Sequence, residues 1–255
     1  MQMTSQPLHG RVVVVTGATG GLGSGVVRGF AALGAQVVVG YNRDAEGAQR
    51  LAEELTIEYG TVHLALSMPV TDSAALAAAA VAVDARWGRV DVLVNCAGTT
   101  RFVPHTDLDA LDDDLIDQIF KTNVRGPIAS VRAFRSALAR DGDGLVINIT
   151  SIAAQTAMGS NIAYCASKAA LDNVTKSMAR ALAPRVRVLS VAPGLIDTDF
   201  VKGLDAGWRD QQVASTPLRR LAAVQDVVDA VTAVVTSLRF CTGSIVLVDG
   251  GRALT

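Results

Sequence analysis

The segment TGATGGLG, residues 16–23, places four glycines directly after the apolar run RVVVVT at 11–16. A helical pattern that begins Ser24-Gly25-Val26-Val27 follows it. Glycines let such a turn tighten, so that backbone N–H groups can approach a pyrophosphate at the helix N-terminus, where the helix dipole favours negative charge. Taken alone, the glycines could form an ordinary tight loop. Their position between the first strand and the first helix predicts a dinucleotide-binding turn.

Short apolar, β-branched runs alternate with longer alanine-rich stretches along the rest of the chain. This alternation is typical of βα units that build a parallel sheet with helices on both faces. The predicted strands are 11–16, 36–41, 61–66, 90–95, 144–150, 185–191 and 244–249. The predicted helices are about 22–33, 44–59, 72–86, 112–138, 161–182 and 224–237. Only the segment 193–217 departs from the alternation, and it predicts an excursion over the surface near the strand ends.

The composition of the 255 residues, 50% of them hydrophobic, predicts one large α/β domain spanning 1–255. Lys and Arg total 23 against 24 Asp and Glu, without a basic patch, so no nucleic-acid partner is expected. The cysteines and histidines are too far apart for a disulfide framework or a metal site. We find no secretion signal and no run of about 18 apolar residues, so we expect a cytoplasmic protein without a membrane partner.

The end of the second predicted strand bears on the choice between NAD and NADP. A carboxylate at this position bonds the ribose 2′-hydroxyl and repels a 2′-phosphate. The sequence here is Gly40-Tyr41-Asn42-Arg43, which lacks an acid, and Arg43 offers a permanently charged planar fork to a phosphate. Arg43 could instead be a solvated surface charge, and Asp44 could partly neutralise it. The pattern favours NADP(H) and leaves NAD(H) possible.

Tyr164 and Lys168 lie four residues apart near the start of a strongly helical segment, which places both side chains on one helix face. A tyrosine ordinarily has a pKa near 10, a neighbouring ammonium stabilises its phenolate, and an oxidised nicotinamide ring would add positive charge. With both charges beside it, the tyrosine is expected to exchange a proton near neutral pH and to act as a general acid or base. Taken singly, Tyr164 and Lys168 could equally be an ordinary pair on a helix face.

The full set of motifs resembles the short-chain dehydrogenase/reductase family along essentially the whole chain. Asn123 lies 28 residues before Ser151, which lies thirteen residues before Tyr164. The matching segments are TGATGGLG at 16–23, NCAG at 95–98, INITS at 147–151, YCASK at 164–168, PGLIDT at 193–198 and TGSIVLVDGG at 242–251. The resemblance implies a single-domain Rossmann fold, with a doubly wound sheet of seven parallel strands. It also implies hydride transfer between NAD(P)(H) and a carbonyl or alcohol.

The resemblance implies four catalytic residues. Tyr164 would exchange the proton with the substrate oxygen, Ser151 would hydrogen-bond the same oxygen, and Lys168 would bind the nicotinamide ribose and tune Tyr164. Asn123 would support a water-linked proton route to Lys168. The implied cofactor-binding set contains Gly17, Thr19, Gly21, Leu22, Gly23, Asn42, Arg43, Asn95, Ala97, Gly98, Tyr164, Lys168, Pro193, Gly194, Ile196 and Thr198. No metal is implied. Pro69 departs from the family pattern, because an aspartate commonly contacts the adenine there.

The substrate side is expected to include Phe200, Leu204 and Trp208 together with Gln155 and Met158. These residues could also pack a lid. Thr100-Arg101 after NCAG is reminiscent of 3-oxoacyl-carrier-protein reductases, so a 3-oxoacyl thioester or a small ketone is one expected substrate. Sugar, steroid and cyclic-alcohol dehydrogenases share the framework, as would a catalytically idle relative that only binds the dinucleotide. The family's intersubunit helix contacts imply a homotetramer, with a dimer as the fallback.

Overall fold

A computed structural model describes residues 6–197 and 206–255 of the chain. Seven strands form one sheet in the order β3-β2-β1-β4-β5-β6-β7, and every neighbouring pair is parallel. The strands are β1 (Val12–Thr16), β2 (Gln36–Tyr41), β3 (Leu64–Ser67), β4 (Val92–Asn95), β5 (Gly144–Ile149), β6 (Val186–Pro193) and β7 (Ile245–Val248). The order reverses between β1 and β4, and doubly wound sheets bind ligands outside the carboxyl ends of the strands at such a switch point.

Helices cover both faces of the sheet. They are α1 (Gly21–Ala32), α2 (Ala45–Tyr59), α3 (Ser73–Trp87), α4 (Asp113–Phe120), α5 (Gly126–Leu138), α6 (Ala153–Thr156), α7 (Ile162–Leu182), α8 (Ala206–Ala214) and α9 (Val224–Thr236). Alternate residues of β1 enter different cores: Val13 and Val15 pack with α1, α2 and α9, whereas Val12 and Val14 pack with α3 and α5. Both faces of the strand are therefore buried, which explains why its sequence is a continuous apolar run.

Two glycines of α1 let α9 approach closely. A Cβ on Gly25 would lie 2.5 Å from Cγ1 of Val224, and one on Gly29 would lie 2.5 Å from Cγ1 of Val228. Real Cβ atoms do not come this close to another carbon, so the helix interface requires glycine at both positions. The contact packs α1 closely against α9.

The predicted Rossmann fold with seven parallel strands is confirmed, with three local differences. The strand predicted at 61–66 begins only at Leu64. The ring Nδ1 of His63 accepts a hydrogen bond of 3.1 Å from the backbone N–H of Val37. At this point of β2 the acceptor is therefore a side chain and not a carbonyl of β3. Part of the predicted excursion at 193–217 is the helix α8.

The helix predicted at 112–138 is interrupted in the structure. A π-helical segment, Lys121–Arg125, separates α4 from α5. Pro127 has no backbone N–H, so it cannot donate the usual α-helical hydrogen bond to the carbonyl of Asn123. A π-bulge of this kind often marks a functional position. Within the described ranges, no helix is long and apolar enough to cross a bilayer.

Candidate active site

A groove of about 640 Å³ opens at the carboxyl ends of β1, β2 and β4, at the switch point of the sheet. Its lining contains eight of the residues predicted to bind the cofactor: Gly17, Thr19, Leu22, Gly23, Asn42, Arg43, Ala97 and Gly98. Met68, Val70, Thr71, Gln118, Lys121 and Thr122 also line it, and sequence reasoning missed them. No short motif marks these six, because the end of β3 and the start of the π segment reach the groove only through the fold.

The glycine turn is shaped by close backbone contacts that exclude side chains. Gly17 has a φ of +66°, and a Cβ there would lie 2.7 Å from Cα of Ala97. A Cβ on Gly23 would lie 2.2 Å from the carbonyl oxygen of Gly17. Thr16 ties the turn to β4, because its Oγ1 accepts hydrogen bonds of 3.2 Å from the N–H groups of Cys96 and Ala97. The turn is a compact cradle in front of the N-terminus of α1, which fits a pyrophosphate.

Arg43 lies at the mouth of this groove, just beyond β2. Its side chain is exposed and makes no ion pair with any residue in the described ranges. Asp44 also lines the groove, but it forms no salt bridge with Arg43: it caps α2, and its Oδ1 accepts a hydrogen bond of 2.9 Å from the N–H of Gly47. Arg43 therefore remains available to an anion in the groove.

The remaining predicted cofactor residues do not appear in the groove lining. The side chain of Asn95 does not line the groove: Asn95 is only 2% exposed, and its Nδ2 donates to Oδ1 of Asn148 at 2.8 Å. That bond joins β4 to β5 inside the sheet. Pro193 ends β6, Gly194 packs against Asp249, and Ile196 forms a bridge with Ala222, so none of the three lies in the groove lining. Gly21 starts α1 and is not in that lining either. Thr198, Phe200 and Leu204 lie outside the described residues.

Ser151, Tyr164 and Lys168 come together beside the groove. Ser151 follows β5 and lies close enough to the phenol of Tyr164 to lower its pKa. Lys168 follows one turn later on α7, with its Nζ 5.7 Å from the centroid of the Tyr164 ring. The same Nζ donates a 2.9 Å hydrogen bond to the carbonyl of Ile149. The structure thus assembles three of the four predicted catalytic residues around one phenol.

Asn123, the fourth, holds the segment after β4. Its Oδ1 accepts from the N–H of Thr99 at 2.8 Å, and its Nδ2 donates to the carbonyl of Thr99 at 3.0 Å and to Oγ of Ser167 at 3.1 Å. Beside Gly98, a point at the missing Cβ lies 3.6 Å from Oδ1 of Asn123 and 3.7 Å from Nζ of Lys168. The fold therefore brings Asn123 and Lys168 to either side of one glycine.

The family model described as short chain dehydrogenase matches residues 11–208. The chain belongs to the short-chain dehydrogenase/reductase family. It is 36% identical over 245 residues to a Streptomyces violaceoruber protein named as ketoacyl reductase 2 of the granaticin polyketide synthase, covering 95% of this chain and 96% of that one. It is 32% identical to the 3-oxoacyl-[acyl-carrier-protein] reductase of Escherichia coli, covering 95% of this chain and 97% of that one. These relatives confirm the predicted resemblance to reductases of that kind.

A solved structure of a family member has the same fold. The gluconate 5-dehydrogenase from Burkholderia cenocepacia, in complex with NADP and tartrate, superposes with a TM-score of 0.90 at 30% identity. The alignment covers 98% of each chain. As a short-chain dehydrogenase/reductase, the present chain is an oxidoreductase that acts on carbonyl or alcohol groups.

The titration of this short-chain dehydrogenase/reductase site differs from the prediction made for Tyr164. Burial raises the pKa of the phenol, and the hydrogen bond from Ser151 only partly offsets it. Burial also lowers the pKa of Lys168 to about 8, against the charges of Cys96 and Asp172. Without the dinucleotide, burial therefore outweighs the expected lowering of the Tyr164 pKa by Lys168. The desolvation of both groups outweighs their mutual attraction, because Lys168 lies over the ring and donates to a carbonyl instead of the phenol.

Proposed function

We propose that the chain catalyses hydride transfer between NADP(H) and a carbonyl or alcohol substrate, with Tyr164 as the general acid and base. The observation that carries this proposal is the convergence on one phenol of Ser151, which lowers the pKa of Tyr164, and of Lys168, whose Nζ lies 5.7 Å from the centroid of the Tyr164 ring. Mere binding of a dinucleotide requires none of these contacts. The proposal therefore favours an enzyme over a catalytically idle relative.

The cradle of Gly17 and Gly23, together with Arg43, would hold the dinucleotide, which would supply the hydride in reduction and accept it in oxidation. Ser151 donates a hydrogen bond to the substrate oxygen and orients it toward the phenol. In reduction, Tyr164 gives its proton to this oxygen, and burial, which raises the pKa of Tyr164, favours the protonated acid. In oxidation, the phenol first passes its proton to the neutral amine of Lys168, and the resulting phenolate takes the proton of the alcohol.

Lys168 replaces the proton that Tyr164 gives up. A pKa of about 8 lets this group both hold and release a proton near neutral pH. The bonds of Asn123 to Thr99 and its place beside Gly98 support the role of a residue that holds a water next to Lys168. The Asn123 carbonyl lacks its usual helical donor at Pro127, which agrees with that role.

We propose a 3-oxoacyl thioester or a small ketone as the substrate. Two ketoacyl-type reductases among the relatives support it, and so does Met158, an exposed apolar side chain on the segment just before Asn161 and α7. A sugar-type alcohol is the second candidate, because gluconate 5-dehydrogenase shares the fold over 98% of both chains. A panel of thioesters, ketones and polyols, run with NADPH and with NADH, separates the two. We further propose one catalytic domain that assembles as a cytoplasmic homotetramer, as the resemblance implies.

Replacing Arg43 with alanine tests the choice of cofactor. We expect the KM for NADPH to rise about 10- to 100-fold, because hydrogen bonds to a charged phosphate are worth about 1.5–3 kcal/mol, and the KM for NADH to stay nearly constant. Arg50→Ala is the matched control, since Arg50 is an exposed arginine of α2 that contacts Glu46. An unchanged KM for NADPH in Arg43→Ala would contradict the assignment.

A further inference from the structure

Asn161, the residue immediately before α7, makes hydrogen bonds through both its amide oxygen and its amide nitrogen. Asn161 is 0% exposed and caps the helix: its Oδ1 accepts a 2.7 Å hydrogen bond from the N–H of Tyr164. Its Nδ2 donates to the carbonyl of Arg101 at 2.7 Å and to Oγ1 of Thr100 at 3.1 Å. One buried amide thus joins the first turn of the helix that carries Tyr164 to the segment that follows β4.

That segment, residues 99–105, is bound along its length to the three residues before α7. Oγ1 of Thr100 lies 2.5 Å from Oγ of Ser160, and the N–H of Val103 donates to the carbonyl of Ser160 at 2.8 Å. At its start, the segment is fixed to the π segment by the paired bonds between Thr99 and Asn123. Residues 99–105 therefore form a strap between the groove, which Thr99 lines, and the N-terminus of α7.

The amide of Asn161 satisfies both sides of this junction with no exposure to solvent. Removal of its donors would leave the carbonyl of Arg101 without this bond, and removal of its acceptor would leave the N–H of Tyr164 uncapped. Movement of the strap is thereby linked to the backbone position of the tyrosine. Precise placement of an acid matters, since a displacement of about 1 Å can cost about 100-fold in rate.

We propose that Asn161 is a positioning residue for the reaction, whose amide nitrogen fixes the strap beside the substrate and whose amide oxygen fixes Tyr164. The proposal rests on the proposed function for its kinetic part. It assigns different roles to the amide nitrogen and the amide oxygen of Asn161, and two substitutions can separate these roles.

Asn161→Ser keeps a capping oxygen, because serine is about as good a cap as asparagine, but it removes both donors to the strap. We expect its KM for the carbonyl substrate to rise about tenfold with kcat within about twofold of the wild type. Asn161→Ala removes the cap as well, and its kcat should fall a further 10-fold or more. The control is Asn173→Ala, which removes an exposed asparagine of the same helix whose Oδ1 accepts only from Ser177.

Hydrogen–deuterium exchange measures the same division without any substrate. In Asn161→Ser, amides of 99–105 should exchange faster while those of 162–166 keep the wild-type rate, and in Asn161→Ala both should exchange faster. If either variant does not fold, Thr100→Val takes its place, because it removes one acceptor of the Asn161 amide without altering α7. The amides of 99–105 should then exchange faster than in the wild type, by a smaller factor than expected for Asn161→Ser. Wild-type exchange across 99–105 in these variants, or equal kcat for the serine and alanine variants, would overturn the proposal. If the wild type reduces no carbonyl with NADPH, the proposed function fails, and exchange alone decides the role of Asn161.

Discussion

Replacing Tyr164 with phenylalanine is expected to lower kcat by about 10²- to 10⁴-fold, the usual contribution of a placed general acid. The substitution removes only the hydroxyl and leaves the ring under Lys168. Binding of NADPH, followed by its fluorescence, should therefore change little. The measurement is steady-state turnover on the best substrate of the panel.

The control for this variant is Tyr59→Phe. Tyr59 ends α2 and contacts Glu58, away from the lining of the groove, so the same loss of a hydroxyl should leave turnover unchanged. Full activity in Tyr164→Phe would exclude the tyrosine as the acid and with it the proposed mechanism.

Replacing Gly23 with alanine is expected to weaken NADPH binding by about 100-fold or more. The new Cβ would lie 2.2 Å from the carbonyl oxygen of Gly17 and 2.9 Å from Cα of Ala18, both rigid backbone atoms. Overpacking of this kind costs about 1–3 kcal/mol in ordinary cores, and here it must open the turn that the pyrophosphate requires. A fluorescence titration with NADPH gives the dissociation constant, and circular dichroism checks the fold.

Gly29→Ala separates the loss of the cradle from strain in α1. Its Cβ would lie 2.5 Å from Cγ1 of Val228, a similar overlap on the same helix but outside the groove lining. We expect a lower melting temperature with an unchanged dissociation constant for NADPH. If Gly23→Ala binds NADPH as tightly as Gly29→Ala does, the glycine turn is not the cofactor cradle.

The sheet could be predicted from the sequence because the patterns that indicate its strands are local in the chain. Each strand buried on both faces is a continuous apolar run, such as Val12–Val15, and the glycine turn follows it at once. The helix interruption at Lys121–Arg125 was not predicted, although Pro127 was a visible signal for it. A proline near the start of a helix is tolerated, so Pro127 alone does not predict an interruption. Whether the helix is interrupted depends on the groups that the carbonyl and the side chain of Asn123 contact in the folded chain.

Side-chain contacts between distant segments were harder to predict. Asn95 was expected at the groove from its motif, but the structure turns it to Asn148 in the adjacent strand. Asn161 was missed, although an asparagine immediately before a predicted helix is a capping signal. Its second pair of contacts, to Thr100 and Arg101, spans about sixty positions of sequence and exists only in the folded chain.

The pKa of Tyr164 illustrates the same limit for electrostatics. The spacing of Tyr164 and Lys168 placed them on one face correctly, and their charges alone favour the phenolate. The sequence could not show how deeply both groups are desolvated or that Lys168 donates to Ile149. In the folded protein, burial decides the direction of both pKa shifts.

Transfer of labelled hydride tests the central proposal most directly. The wild-type protein is incubated with a carbonyl substrate and NADPH that carries deuterium at C4, with the 4R and 4S forms used separately. We expect the alcohol product to contain one deuterium on the former carbonyl carbon from one of the two forms and none from the other. Oxidation of NADPH without an alcohol product, or an alcohol that carries no deuterium from either form, would contradict hydride transfer at this site.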